Sequence, residues 1–290
     1  MIRSAGKIAT AIRRKNGQIE IDSYSYVSLT KRNKWLGKYI IRGAVSLGEA
    51  MYIGVKALNW SAEKFAEDEG NGEPRQEKWY DKIVAVFSLL IAFALGLGLF
   101  MLLPYYISGI IRDAGGSQLA FHAVAGLIRI SIFLLYLYAI SLWKDVQRVF
   151  EYHGAEHKNI FAYEKSGEVN SAAAAAESRF HPRCGTSFLL ITAIVVIFVF
   201  AVLDSMLIPF IGEYRSASHR FIVHIPFIPL VAGISYEVLK YSGKKRENRF
   251  WSVMVKPGLW LQRITTREPD AQQLQVGATA ISASLENGNS

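Results

Sequence analysis

Cysteine is nearly absent from this 290-residue chain: Cys184 is the only one, which excludes an internal disulfide framework and fits a reducing compartment. The start, Met1-Ile2-Arg3 and a polar alternating segment, lacks an apolar core and a cleavage site, so no signal peptide is expected. Walker A, a G-x-G-x-x-G after a strand and a G-x-S-x-G elbow are all missing, which removes the usual nucleotide-binding and serine-hydrolase readings. There is no internal repeat. Acid is in deficit: Asp+Glu of 24 against Lys+Arg of 33 gives +9, which suits an anionic membrane surface or a nucleic acid equally well.

What the chain has is apolar length. Hydrophobic residues make up 51% and aromatics 12%, with mean hydropathy +0.19, too apolar for a disordered or fibrous protein. Residues 83–103 carry no charge and match the ~20 residues needed to cross a ~30 Å hydrocarbon core. Three further runs follow: 121–143 with His122 and Arg129, 188–211 with Asp204, and 221–239 with His224, Pro226, Pro229 and Glu237. The last reads as a span or as a buried re-entrant helix, because prolines at membrane depth need buried backbone. Glu237, near its cytoplasmic end, is expected at the water interface.

Lys and Arg crowd the segment before residue 83, the loop 144–187 and the tail, whereas loop 104–120 has only Arg112 and loop 212–220 only Arg215 and Arg220. The positive-inside rule then places both termini and the 144–187 loop in the cytoplasm. The expected fold is an all-α integral membrane protein with about four transmembrane helices and small cytoplasmic additions. Residues 1–82 should hold a β-hairpin around Asn16-Gly17, an amphipathic helix over 39–58 lying on the membrane, and a charged linker over 61–81. Residues 83–239 form the four-span region, and 240–290 a tail with one helix, started by Thr266-Arg267-Glu268-Pro269-Asp270 and frayed after Glu286. Trp79, Tyr80, Tyr105, Tyr106 and Trp143 fit interfacial aromatic belts, and Ala92/Gly96 and Ala94/Gly98 are small pairs that permit close helix packing.

Chemistry concentrates in the 144–187 loop. His153 and His157 in His153-Gly154-Ala155-Glu156-His157 are four apart, so on a helix both rings share one face and can hold one metal ion. The order H-x-x-E-H is that of the inverzincins, where the glutamate activates water, which makes Glu156 the candidate general base. His181-Pro182-Arg183-Cys184-Gly185 adds an imidazole and the sole thiol in a tight turn resembling a zinc knuckle. Four ligands, His153, His157, His181 and Cys184, would close a structural site; three would leave an open position beside Glu156 for hydrolysis, with Glu164 as a further candidate ligand. A hydrogen-bonded turn and an interfacial helix is the competing reading. Arg129 and Asp204 lie at similar distances from the outer ends of their runs and are expected to pair, since each alone is costly in the bilayer.

With these residues in view, the chain resembles the YqhQ-like family of uncharacterised bacterial multi-pass membrane proteins. The matching strings are Ser28-Leu29-Thr30-Lys31-Arg32-Asn33, Arg42-Gly43 with Glu49, Lys56 to Ser61, Tyr152 to Glu164, His181 to Leu190, Ala232 to Leu239 and Pro257 to Gln262 through Asp270. Members usually open with a Gly-rich stretch ahead of Met-Arg that is not in this sequence. The resemblance implies a bacterial cytoplasmic-membrane protein described as a predicted metal-dependent enzyme, and plastid relatives imply a role in membrane-complex assembly or electron-transport regulation. The expected cofactor is a divalent metal, zinc by donor type, and the expected partners are the lipid bilayer and membrane proteins or further copies of the chain, not nucleic acid. Three functions compete: a metal-dependent hydrolase at the membrane surface, a non-enzymatic adaptor or assembly factor, and an ion transporter using Arg129 and Asp204.

Overall fold

The computed structural model describes residues 1–4, 6–70, 79–113, 118–182, 184–244 and 249–286. The hairpin forms as expected: β2 (Lys7–Arg13) pairs antiparallel with β3 (Ile19–Ser25), and β1 (Ile2–Arg3) adds a third strand on the other edge of β2. Its turn is one residue longer than an Asn-Gly turn. Gly17 N–H donates to Arg14 O and Arg14 N–H to Gln18 O, and Gly17 takes φ +86°, the left-handed position that closes a three-residue loop.

The short α1 (Leu29–Arg32) is capped by Ser28 and leads to α2 (Ile41–Glu69). That second helix runs through most of the expected linker, to Glu69, because its acidic end is neutralised: Arg14 meets Glu67 at 3.1 Å and Asp68 at 2.9 Å, and Lys64 meets Glu67 at 3.0 Å. Residues 71–78 of that linker, Arg183, the basic residues Lys245 and Arg246, and the tail end 287–290 lie outside the described residues.

Helix α3 (Trp79–Leu97) continues through a π-helical turn (Gly98–Leu102) into α4 (Leu103–Asp113). Then come α5 (Gln118–Ile140), α6 (Lys144–Ser166), the one-turn α7 (Ser171–Ala174) and α8 (Gly185–Ile211). The fourth apolar run is one continuous helical rod rather than a re-entrant turn: α9 (Ala217–His224), a 3-10 turn (Ile225–Phe227) and α10 (Ile228–Lys244). Pro226 and Pro229 fall at that junction, where the ring costs the fewest backbone hydrogen bonds. Among the described residues, four helical stretches are therefore long and apolar enough to cross a membrane: Val86–Ile110, Ala120–Ile140, Phe188–Ile211 and Ala217–Tyr241.

The tail holds two helices rather than one, α11 (Arg249–Thr265) with Pro257 inside it, and α12 (Ala271–Leu285). The second starts where the sequence indicates, with a capping box between Asp270 and Gln273. It lies across the sheet, burying Val276, Ala280, Ile281 and Ala283 near the fully buried Ile8 and Ala9, and its other side packs on α6.

Two glycine crossings tie these layers together. Gly43 of α2 meets Gly233 of α10 so closely that a Cβ on Gly233 would lie 2.3 Å from Ile40 O, and Ile40 itself takes φ +69°. Gly126 of α5 meets Ile197 of α8. Gly96 and Gly98, by contrast, have no neighbour within 4 Å of a built Cβ, so the small pairs of the first run are not used for packing among the described residues. Glu237 is not a water-facing interfacial residue: Arg42 Nε and Nη2 grip its carboxylate at 2.6 and 2.5 Å, joining α2 to α10.

Candidate metal centre

Helix α6 presents His153 and His157 on one face, one turn apart, with ring centroids 4.5 Å apart. Cys184 enters from the turn before α8, its N–H donating to His181 O. One donor atom from each of His153, His157 and Cys184 lies within 4.8 Å of the other two, and His153 Nε2 is 3.2 Å from Cys184 Sγ.

The orientation of both imidazoles is set from behind. His153 Nδ1 meets Thr265 O at 2.8 Å and His157 Nδ1 meets Arg179 O at 2.6 Å. A carbonyl only accepts, so Nδ1 carries the proton, and in the neutral ring the Nε2 lone pair is left free to bind a cation. Burial disfavours a charged sulfur, but hydrogen bonds with His153 and His157 outweigh it and bring the Cys184 thiol down to about 5. Burial also opposes charge on His153; the Cys184 sulfur and the Thr265 carbonyl outweigh it and raise its pKa. The hydrogen bond draws the sulfur toward the thiolate with the proton on His153 Nε2, so a cation would bind here by displacing that proton.

The segments next to these carbonyls are held by side chains that sequence reasoning did not single out. Gln262 of α11 is fully buried and clamps His181 twice, accepting from its N–H and donating to its C=O at 2.7 Å each. Arg179 donates to the Thr266 carbonyl and hydroxyl. Gly154 has to be glycine because Arg267 O passes 2.1 Å from where a Cβ would stand. Arg267 N–H also donates to Phe150 O at 2.9 Å, so the 266–270 segment lies directly against α6. The resemblance strings through Gly154, Gln262 and Asp270 carried these positions, but residue type alone assigned them no role.

The other expected members fall into place around this group rather than in it. His181 contributes no donor atom to the three-residue group; its ring stands 5.6 Å from that of His157, and its Nε2 faces Glu164 at 3.7 Å. Glu164 is thus a partner of His181, not of the group. Glu156, half-buried on α6, adds no donor atom either, though its charge acts on His153.

The expected pairing of Arg129 with Asp204 does not occur. Similar distance from the helix ends says nothing about which way a side chain faces around its helix. Asp204, fully buried on α8, meets His122 at 2.6 Å, His224 and Tyr214 at 2.7 Å each, and Arg220 at 3.4 Å. Arg129 Nε instead donates to Phe100 O at 2.7 Å, inside the π-helical turn, and its guanidinium lies over the Tyr105 ring. Tyr105 is not a belt residue but a buried one, bonded to His224 Nδ1 at 2.8 Å, so Tyr105 and His224 form a link between Arg129 and Asp204. The histidines interrupting the second and fourth runs were the available signal for this cluster.

The family model described as "Protein of unknown function (DUF1385)" matches residues 39–287. The chain is 33% identical over 282 residues to "Uncharacterized protein YqhQ" of Bacillus subtilis (strain 168), covering 95% of this chain and 86% of that protein. No solved structure matches it. Coverage of nearly the whole chain by both comparisons means that this protein belongs to the DUF1385, YqhQ-like family.

Proposed function

We propose that this is a multi-pass protein of the bacterial cytoplasmic membrane, with both termini inside, that binds one divalent metal ion through His153, His157 and Cys184 and hydrolyses a membrane-associated substrate. The observation that carries the reading is the convergence of two imidazoles, each locked at Nδ1 by a backbone carbonyl, on one buried cysteine sulfur. Two imidazoles and a thiolate favour zinc, and three protein ligands leave a fourth position open. A bound ion would supply Lewis acidity and acidify a water molecule at that position. The membrane placement is supported by the outward faces of the apolar helices, where Phe93 and Leu95 are 65% and 68% exposed.

Within this reading Glu156, one turn from His153 and close enough to act on its charge, takes the proton. His181 backed by Glu164 is the rival base, favoured by its ring contact with His157. A second reading, a metal that staples the protein without catalysis, is favoured by the three segments meeting there: α6, the turn before α8, and the end of α11.

Metal analysis of the detergent-solubilised protein by inductively coupled plasma mass spectrometry tests the centre. About one ion per chain is expected, lost in His153→Ala/His157→Ala; no metal in either protein after reconstitution at neutral pH sinks the proposal. Glu156→Gln should keep the ion and the thermal midpoint. In a hydrolase it abolishes function; in a stapled adaptor it is silent while Cys184→Ser lowers stability.

A further inference from the structure

Helix α11 has two faces with different tasks. Its inner face, with Gly258, Leu261, Gln262 and Thr265 buried, packs on α8 and α10 and holds His181 and His153. Its outer face carries Val253, Lys256, Pro257, Trp260 and Arg263, all exposed. On that side lies an open cleft of about 330 Å³, lined by Phe180, Lys256, Leu259, Trp260 and Arg263. Among the described residues, neither Lys256 nor Arg263 has an acidic partner, and no carboxylate lines the cleft. It adjoins, in the chain, the segments that flank the candidate metal centre, since Phe180 precedes His181 and Arg263 follows Gln262.

We propose that this cleft binds the phosphate headgroup of an anionic phospholipid. Lys256 and Arg263 meet the phosphate, while Trp260, Leu259 and Phe180 meet the glycerol and the first carbons of the chains. Three observations select that ligand. The two cations have no acidic neighbour among the described residues, so a negative ligand is favoured over a neutral or positive one. The remaining lining is aromatic and aliphatic, which a free phosphate would not use. The depth is also right: α11 packs on α8 and α10, whose apolar spans begin at Phe188 and end at Tyr241, so its outer face stands at the boundary of the membrane, where Trp and basic side chains meet headgroups. The proposal rests on the membrane placement argued above but not on a metal being bound, and it makes a lipid-borne, anionic molecule the substrate class for the neighbouring centre.

The test uses full-length protein in neutral detergent, offered equal phosphatidylglycerol and phosphatidylcholine, with bound lipids counted by native mass spectrometry. Phosphatidylglycerol should be retained about tenfold over phosphatidylcholine. The preference should vanish in Lys256→Gln/Arg263→Gln and persist in Lys31→Gln/Lys34→Gln, which removes two exposed cations elsewhere. Arg263→Lys should restore most of it. In nanodiscs, the fluorescence lost in Trp260→Phe should be the part quenched by brominated phosphatidylglycerol and spared by brominated phosphatidylcholine. Equal retention by the native protein, an unchanged preference in the double variant, or displacement by millimolar inorganic phosphate would each overturn the proposal. Metal content, measured on the same preparations, separates this outcome from failure of the metal centre: His153→Ala/His157→Ala should lose metal and keep the lipid.

Discussion

Asp204 is the acceptor on which a whole buried cluster depends. Two imidazoles, a phenol and a guanidinium converge on its two oxygens, and Arg220 and His224 are themselves almost fully buried. Asp204→Asn leaves Arg220 buried without its countercharge and should cost about 3–5 kcal/mol. Thermal unfolding in detergent measures it, and a double-mutant cycle should give strong coupling of Asp204 to Arg220 and little to Arg129; the reverse ranking would contradict the cluster. That four of these partners escaped sequence reasoning has a simple cause. An intramembrane charge announces that it needs a partner, but its direction depends on the rotation of each helix, which packing decides. The three candidate metal ligands were legible for the opposite reason. His153 and His157 sit on a single helix, where spacing alone puts two rings together, and Cys184 has no other cysteine to be confused with. Whether His181 joins them was left open by sequence, because proximity to Cys184 does not say that its ring turns toward Glu164.

Between elements, the contacts that matter are close backbone crossings and buried carboxylates. Gly154→Ala pushes a methyl group into Arg267 O and should destabilise by about 1–3 kcal/mol while loosening the segment that carries Thr265. A lowered melting midpoint together with weaker metal retention is the expected result, and a variant as stable and as metal-loaded as the parent would argue against this packing. Glu49 shows the same economy at the other end of the fold. Burial opposes its charge, but the Leu29 N–H and the Ser28 hydroxyl outweigh it and hold its carboxyl below the ordinary 4.5. A depressed folded pKa adds stability that is complete above the unfolded value and is lost as pH falls through the folded one. Glu49→Gln should therefore lower the midpoint at neutral pH and flatten its decline below pH ~4.5; equal acid slopes in both proteins would exclude Glu49 as the source.

For the molecule as a whole, the amphipathic α2 is a strap: Arg42 anchors it to α10 beside the apolar spans, and Glu67 and Asp68 anchor its far end to Arg14 of the hairpin. The His153, His157 and Cys184 group lies toward one end of α8 and the Asp204 cluster toward the other, about 20 residues or ~30 Å apart along it. With Cys184→Ser as background, Glu213→Cys should react with an impermeant maleimide on intact cells, and Lys165→Cys only after permeabilisation. Labelling of both from outside would overturn the orientation. What the sequence determined alone is what composition and periodicity carry: four apolar helices of spanning length, the hairpin, the capped last helix, and two histidines on one face of α6. Each is local, set by side chains a few residues apart. The tertiary structure decided which carbonyls hold the imidazoles, that Gln262 clamps His181, that Arg42 claims Glu237, and that Asp204 turns to His122 and His224 instead of Arg129. Those pairings join residues tens to hundreds of positions apart, and only the packing of one helix on another selects among the partners that chemistry alone would allow.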